Sequence, residues 1–228
     1  MSDSGVVRQQ RSRRRRATTL ACAAAIVVGG CFRGTLPPRA FYRLSVPDSL
    51  ASLGRPTGAP PLTGSIAIAR YDTPGIYATG SLVYRVGSSA YGAYPFREWA
   101  IPLGEMLGSI TEGIVRQRSL TSGRVVYPPS AVTHEQYEWR ATVREFDEVD
   151  APNSVTASVS LVAQLVRVAD DSVVWSGAAQ EMEPITQTRS IDAVVAGLSA
   201  AAARAIARLT DEAGSAMRRL AAAGAHQR

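Results

Sequence analysis

The sequence predicts an α+β domain: an antiparallel sheet packed by one mid-chain helix and one long C-terminal helix. Three observations carry that expectation. Residues 137–181 alternate apolar and polar side chains in three runs separated by two turns. Apolar residues from Trp99 to Ile114 recur at helical spacing. From Ile191 to Leu220 the helical period holds for about eight turns at ~3.6 residues per turn. A chain of 228 residues that is 46% hydrophobic can fill the core of one ordinary domain.

Ahead of that domain, Arg11-Ser12-Arg13-Arg14-Arg15-Arg16 precedes an apolar run, Ala17 to Val28, and then Gly29-Gly30-Cys31. A positive segment, a short apolar segment and small residues before a cut are the parts of an export signal. The apolar run would reach about 18 Å as a helix at ~1.5 Å per residue, short of a hydrocarbon core of about 30 Å. It suits the start of translocation better than a permanent span. Val28-Gly29-Gly30-Cys31 resembles a bacterial lipobox. The resemblance implies that a signal peptidase recognises Val28, Gly29 and Gly30, and that the Cys31 thiol takes up the diacylglyceryl group and becomes the new N-terminus. An uncleaved anchor, or a cut elsewhere, is the rival reading. The arginines after Ser12 also suit a twin-arginine export route. The expected organisation is a signal peptide over residues 1–30, a Pro/Gly-rich tether with one edge strand over 31–63, and a single domain over 64–228.

Charge follows the same division. The whole chain carries 25 basic and 19 acidic residues, a net +6. Six of those arginines and only one acid, Asp3, fall within residues 1–30. What remains is close to neutral, so no basic footprint for nucleic acid is expected. Both cysteines, Cys22 and Cys31, belong to the targeting segment. A disulfide framework and a thiolate metal site are therefore not expected.

The elements follow in order. Prolines at 37, 38, 47, 56, 60 and 61 exclude a regular helix from the tether. Within it, Phe41 to Val46 is rich in β-formers and ends at Pro47, as an edge strand would. Ser65 to Tyr71 alternates and predicts a strand, and Ser81 to Val86 predicts another. Asp72–Gly80 is expected to be irregular, and Gly87–Pro95 a Gly/Ser/Tyr-rich loop. Trp99, Leu103, Met106, Leu107, Ile110 and Ile114 share one helical face, with Pro102 in the first turn, where its missing N–H costs little. Gly104, Gly108 and Gly113 each weaken that helix by ~1 kcal/mol relative to Ala, so packing has to hold it. A short strand at Arg124–Tyr127 stops at Pro128-Pro129. Three strands then form a meander with one wet face. They turn near Asp150, Pro152 and Asn153, and again at Asp170-Asp171. In the final helix, Ser190 is the expected N-cap and Asp192 suits the positive end of the dipole.

Catalytic patterns are missing from the sequence: it has no nucleophile elbow, phosphate-cradling Gly loop or paired-His spacing. The two histidines, His134 and His226, fall in a loop and at the C-terminal end. Glu145, Asp147, Glu148 and Asp150 lack the calcium-loop pattern and are expected to be a solvated strand end. Trp99, Trp139 and Trp175 each fall on an apolar face and are expected in the core. Neither an enzyme activity nor a cofactor nor a metal is expected.

Several stretches together resemble one family. They are Phe41-Tyr42-Arg43-Leu44 after the lipobox, Ile66-Ala67-Ile68 through Leu82-Val83-Tyr84-Arg85, and Arg97-Glu98-Trp99-Ala100-Ile101-Pro102-Leu103. They continue with Arg144-Glu145-Phe146-Asp147 and with Val194 to Leu209. Their order resembles the ABC-type transport auxiliary lipoproteins, PqiC-like partners of MCE-type lipid transport systems. Arg97, Trp99, Pro102 and Leu103 are the most specific match and are read as a structural signature. The loop Asp72–Gly80 departs from the family pattern.

The resemblance implies a non-catalytic, lipid-anchored accessory component of an ABC/MCE system that moves lipid between membranes. Its implied partners are membrane lipid, through acylated (palmitate-bearing) Cys31, and the MCE-domain, permease or ATPase subunits. A homo-oligomer is implied by the same analogy. Phe32 in place of an aspartate after the anchor favours the outer membrane, facing the periplasm. Two alternatives stay open: a structural or assembly outer-membrane lipoprotein, and a small-molecule-binding periplasmic domain lined by the Tyr71–Tyr94 stretch.

Overall fold

Alternating side chains and two tight turns give the centre of the molecule its shape. The computed structural model describes residues 37–46, 58–129, 135–186 and 190–225. In chain order these form β1 (Ala40–Tyr42), β2 (Ile66–Ile68), a 3-10 turn (Gly75–Thr79), β3 (Ser81–Val86) and β4 (Ala90–Trp99). Then come α1 (Leu103–Gln117), β5 (Val125–Val126), β6 (Tyr137–Ala151), β7 (Ser154–Arg167), β8 (Ser172–Pro184) and α2 (Ile191–Ala225). The fold is α+β, with two helices on an eight-stranded sheet among the described residues.

β6, β7 and β8 are the expected antiparallel meander, paired along nearly their whole lengths. One face buries Trp139, Ala141 and Val143 of β6 with Ala157, Val159, Leu161, Ala163 and Leu165 of β7. A register shift between Val143 and Glu145 makes Phe146, not Glu145, continue the buried row.

The free edge of β6 is shared. β2 runs parallel to its first half and β3 parallel to its second half. Between them the chain follows β6: the Ala69 N–H donates to the Trp139 carbonyl at 2.9 Å, and the Val143 N–H to the Asp72 carbonyl at 2.8 Å. The 3-10 turn then carries it to β3. β5 flanks β2 in parallel, β4 flanks β3 antiparallel, and β1 flanks β4 in parallel. The sheet is therefore mixed. Its antiparallel part follows from alternation and tight turns, whereas the parallel pairs join segments distant in sequence.

Several element boundaries differ from the sequence expectation, the strand expected over Ser65–Tyr71 among them, which is observed as Ile66–Ile68. The stretch Gly87–Pro95 is not a loop: Gly87, at φ 64°, turns the chain and β4 begins at Ala90. β4 holds despite its glycine because the Tyr84 ring covers Gly92, with the hydroxyl 2.5 Å from where a Cβ would stand. Tyr84 and Tyr94 also pack with ring centroids 4.9 Å apart. Pro95 and Phe96 (φ 60°) occupy the register shift between β3 and β4, where no ladder N–H is required of proline. Trp99 ends β4 rather than joining the helix, its backbone N–H donating to the Gly80 carbonyl at 2.7 Å. The strand expected over Phe41–Val46 stops at Tyr42. Beyond it the Leu44 amide donates to the Met106 sulfur at 3.5 Å and the Ser45 amide to Ser199 Oγ at 3.2 Å. This segment therefore crosses to the helices.

α1 packs beside α2 and on β2 and β5, burying Leu103, Met106, Leu107, Ile110 and Ile114. α2 lies on β7 and β8. At Gly197 it approaches closely: an added Cβ would stand 3.0 Å from that of Ala157. Ser190 Oγ accepts the Ala193 N–H at 3.2 Å and so caps the helix. By length and composition α2 could cross a bilayer, yet most of that apolar stretch is buried against the sheet, as in a core helix. Each fully buried Leu or Ile along it, such as Leu198, Ile206 or Leu209, contributes roughly 1.5–3 kcal/mol of burial.

Candidate functional site

The signature residues lie where β4 passes into α1. Trp99 packs edge-on against Phe146, centroids 5.9 Å apart. The Ala100 N–H donates to the Tyr42 carbonyl at 2.8 Å, tying β1 to this corner. Pro102 precedes the first turn of α1, where its carbonyl accepts the Glu105 N–H at 3.0 Å, and Leu103 points into the core. Arg97 donates to the Phe96 carbonyl at 3.2 Å. The cluster joins four elements. Val28, Gly29, Gly30 and Cys31 lie outside the described residues, as do His134 and His226.

The acidic stretch of β6 is not a solvated strand end. Asp147 is 0% and Glu148 4% exposed. Asp147 accepts from Arg85 Nε at 2.9 Å and from the Tyr77 hydroxyl at 3.2 Å. Glu145 takes the other side of Arg85 at 3.3 Å and accepts from Ser158 at 3.0 Å. Glu148 accepts from the Tyr94 hydroxyl at 2.6 Å. Burial pushes the Asp147 carboxyl above the usual carboxylate range, against the opposing pull of Arg85. Burial and the neighbouring carboxylates push the hydroxyls of Tyr77 and Tyr94 up as well. No group of acidic, His or Cys side chains suited to a metal ion occurs among the described residues.

The Tyr71–Tyr94 stretch does not line one ligand cavity. Tyr71 is buried and donates to Thr111 Oγ1 at 2.7 Å, since Thr111 itself donates to the Leu107 carbonyl. Burial pushes the Tyr71 hydroxyl up to about 12. Tyr77 and Tyr91 border a shallow pocket of about 330 Å³ with Val143 and Arg144.

A larger cleft of about 670 Å³ runs along α2. Arg204, Arg208, Asp211, Ser215 and Arg219 recur every three or four residues and so share a helix face. Arg118, which follows α1, and Trp175 of β8 complete the wall. Trp175 stacks on the buried Trp139 with centroids 5.5 Å apart and is itself only half-buried. Arg118 pairs with Asp211 at 3.6 Å, and Arg204 with Glu183 at 2.8 Å. Arg208 shares Glu212 at 3.0 Å and Glu181 at 3.8 Å. Burial pushes the Asp211 carboxyl up, partly offset by Arg118 and Arg218. This cleft is not apparent from composition, although the spacing of Arg204 and Arg208 with the residues that follow was a signal. Trp175, expected in the core, is the other residue that sequence reasoning placed differently.

Residues 42–210 match the family model of the ABC-type transport auxiliary lipoprotein component. Among solved structures, a Xanthomonas campestris protein of the DUF330 family is similar at 17% identity and TM-score 0.66, over 80% of this chain and 98% of that one. A second, described only as an uncharacterized protein, is similar at 15% identity and TM-score 0.59, over 77% of this chain and 99% of that one. At such identities the likeness is one of fold alone. No curated protein matches the chain.

Proposed function

The chain belongs to the ABC-type transport auxiliary lipoprotein components, and on that premise we propose that it serves an MCE-type system moving lipid between two membranes. The match over residues 42–210, which takes in the whole described sheet from Tyr42 and most of α2, carries this reading. In the proposal, cleavage before Cys31 removes residues 1–30, and acylation of Cys31 tethers the domain to the outer membrane, facing the periplasm. The stretch between Cys31 and β1 at Ala40 spaces domain from anchor. The domain binds a permease, ATPase or MCE-domain subunit and carries out no chemistry of its own.

Mild crosslinking in the native host, followed by purification of the chain, tests the partner. Recovery of a membrane-embedded permease or an MCE-domain subunit supports the proposal, and recovery of the chain alone argues against it. The anchor is tested by intact mass and membrane partition beside a Cys31→Ala variant. The expected wild-type product lacks residues 1–30, carries added acyl mass and stays with membranes, while the variant does none of these. An unlipidated wild-type Cys31 would overturn the anchor.

A further inference from the structure

The α2 cleft gathers arginines from two helical segments beside a half-buried tryptophan. Four arginines, Arg118, Arg204, Arg208 and Arg219, line it against two acids, Asp211 and Glu212. Within the lining the arginines outnumber the acids, while Glu181 and Glu183 beside it pair with Arg208 and Arg204. Arg219 makes no ion pair among the described residues. These charges come from α2 and from the residue after α1, and they converge on the open side of the Trp175 ring on β8. At about 670 Å³ the cleft is in the size range of small-molecule sites.

We propose that this cleft binds a phosphate-bearing anion, as carried by the headgroup of an anionic phospholipid. Guanidinium groups present paired N–H donors that match phosphate oxygens, and each such charge-assisted bond is shorter and stronger than a neutral one. Arg219 has no ion pair to give up among the described residues. Arg208 is about half exposed (55%), so solvent screens its pairs with Glu181 and Glu212. Exchanging them for a phosphate is inexpensive. Arg118 is the buried member, with a side chain only 14% exposed, and it fixes the inner wall through Asp211. The Trp175 ring supplies an apolar surface for the glycerol and first acyl carbons next to the charged end. The phosphate chemistry stands on these residues alone. Its supply as a lipid headgroup rests on the transport reading.

The test is calorimetric titration of the full chain, held in an uncharged maltoside detergent, with dihexanoylphosphatidylglycerol, dihexanoylphosphatidylcholine and inorganic phosphate. An Arg208→Gln/Arg219→Gln variant is titrated alongside, and its thermal midpoint reports that it still folds. The expected result is saturable binding of phosphatidylglycerol that weakens at least tenfold in the variant. If inorganic phosphate binds as tightly, the anion alone is recognised and its source is free phosphate. If it does not, the headgroup is the ligand. Absence of binding by all three probes overturns the proposal. So does equal affinity for the zwitterionic lipid, or affinity unchanged in the variant. No partner protein enters this assay, so its failure removes the cleft and leaves the transport reading standing. A chain that captures no transport subunit but binds the probes gives the reverse result.

Discussion

Two glycines on α1, nine residues apart, should respond to the same substitution with opposite signs. In a helix interior Ala is favoured over Gly by roughly 0.5–1 kcal/mol, because Gly loses more backbone freedom on folding. At Gly113 that gain comes free of steric cost: the residue is exposed, and an added Cβ meets nothing within 4 Å. At Gly104 the added Cβ would overlap the Tyr71 carbonyl oxygen and stand 3.2 Å from its carbon. That obstacle is backbone held by a strand-like segment, so it cannot swing aside as a side-chain tip can. Overpacking of this kind costs about 1–3 kcal/mol. Moving Tyr71 also weakens the bond from its N–H to the Gly104 carbonyl, now 3.2 Å, worth about 1 kcal/mol net. Gly113→Ala should therefore stabilise by up to ~1 kcal/mol, a rise in midpoint of roughly 2–4 °C for a domain of this size. Gly104→Ala should destabilise by about 1–3 kcal/mol after its propensity gain is subtracted. Urea and thermal unfolding of the purified chain measure both. A Gly104→Ala protein as stable as wild type would refute the reasoning, and so would a destabilised Gly113→Ala.

Two further outcomes follow from the core and from the buried carboxylate. Ile206→Ala empties a fully buried site between α2 and the sheet and should lower unfolding free energy by about 2–5 kcal/mol, read by urea titration; a loss below ~0.5 kcal/mol would show that the helix is not packed as described. Asp147 has a folded-state pKa above its unfolded value. Its stabilising contribution is present below the unfolded pKa and is lost as pH rises through the folded one. Asp147→Asn cannot ionise, so the midpoint of the variant minus that of wild type should grow from acid to neutral pH. A difference that stays flat or shrinks across that range would contradict the assigned shift.

The parts of the fold that the sequence revealed are those governed by local periodicity. Alternation marked Trp139, Ala141 and Val143 as one buried row, and helical spacing marked Leu103 to Ile114 and Val194 to Met217. Where tertiary contact overrides composition, reading from sequence failed. Gly87–Pro95 has the makeup of a loop, yet Tyr84 covers Gly92 and holds the segment as β4. Trp99 has helical spacing to Leu103 and nevertheless ends a strand, because spacing does not show that Ala100 and Trp99 bond to Tyr42 and Gly80. The carboxylates of Glu145 to Asp150 look solvent-facing in isolation. Their partners Arg85, Tyr77 and Tyr94 lie more than fifty residues away, beyond any local pattern. The convergence of Arg118 and Trp175 on α2 is of the same non-local kind.

α2 itself separates what the fold needs from what a ligand could use. Its inner face, Val194, Leu198, Ala201, Ala205, Ile206 and Leu209, is buried, and its loss would be felt as unfolding. Its outer face is different. Arg208 is half exposed, so its pairs with Glu181 and Glu212 are screened and of small worth, and Arg219 contributes no pair at all among the described residues. Arg118 and Arg204 tie α2 to its neighbours through Asp211 and Glu183, so it is Arg208 and Arg219, beside a half-buried tryptophan, that stability does not account for. If the outer face exists for binding, substitutions there should spare the midpoint and change affinity, while Ile206→Ala should lower the midpoint at temperatures where the folded fraction still binds normally. An outer-face variant that lowers the midpoint as much as Ile206→Ala would assign those arginines to the fold and leave the cleft without a ligand role.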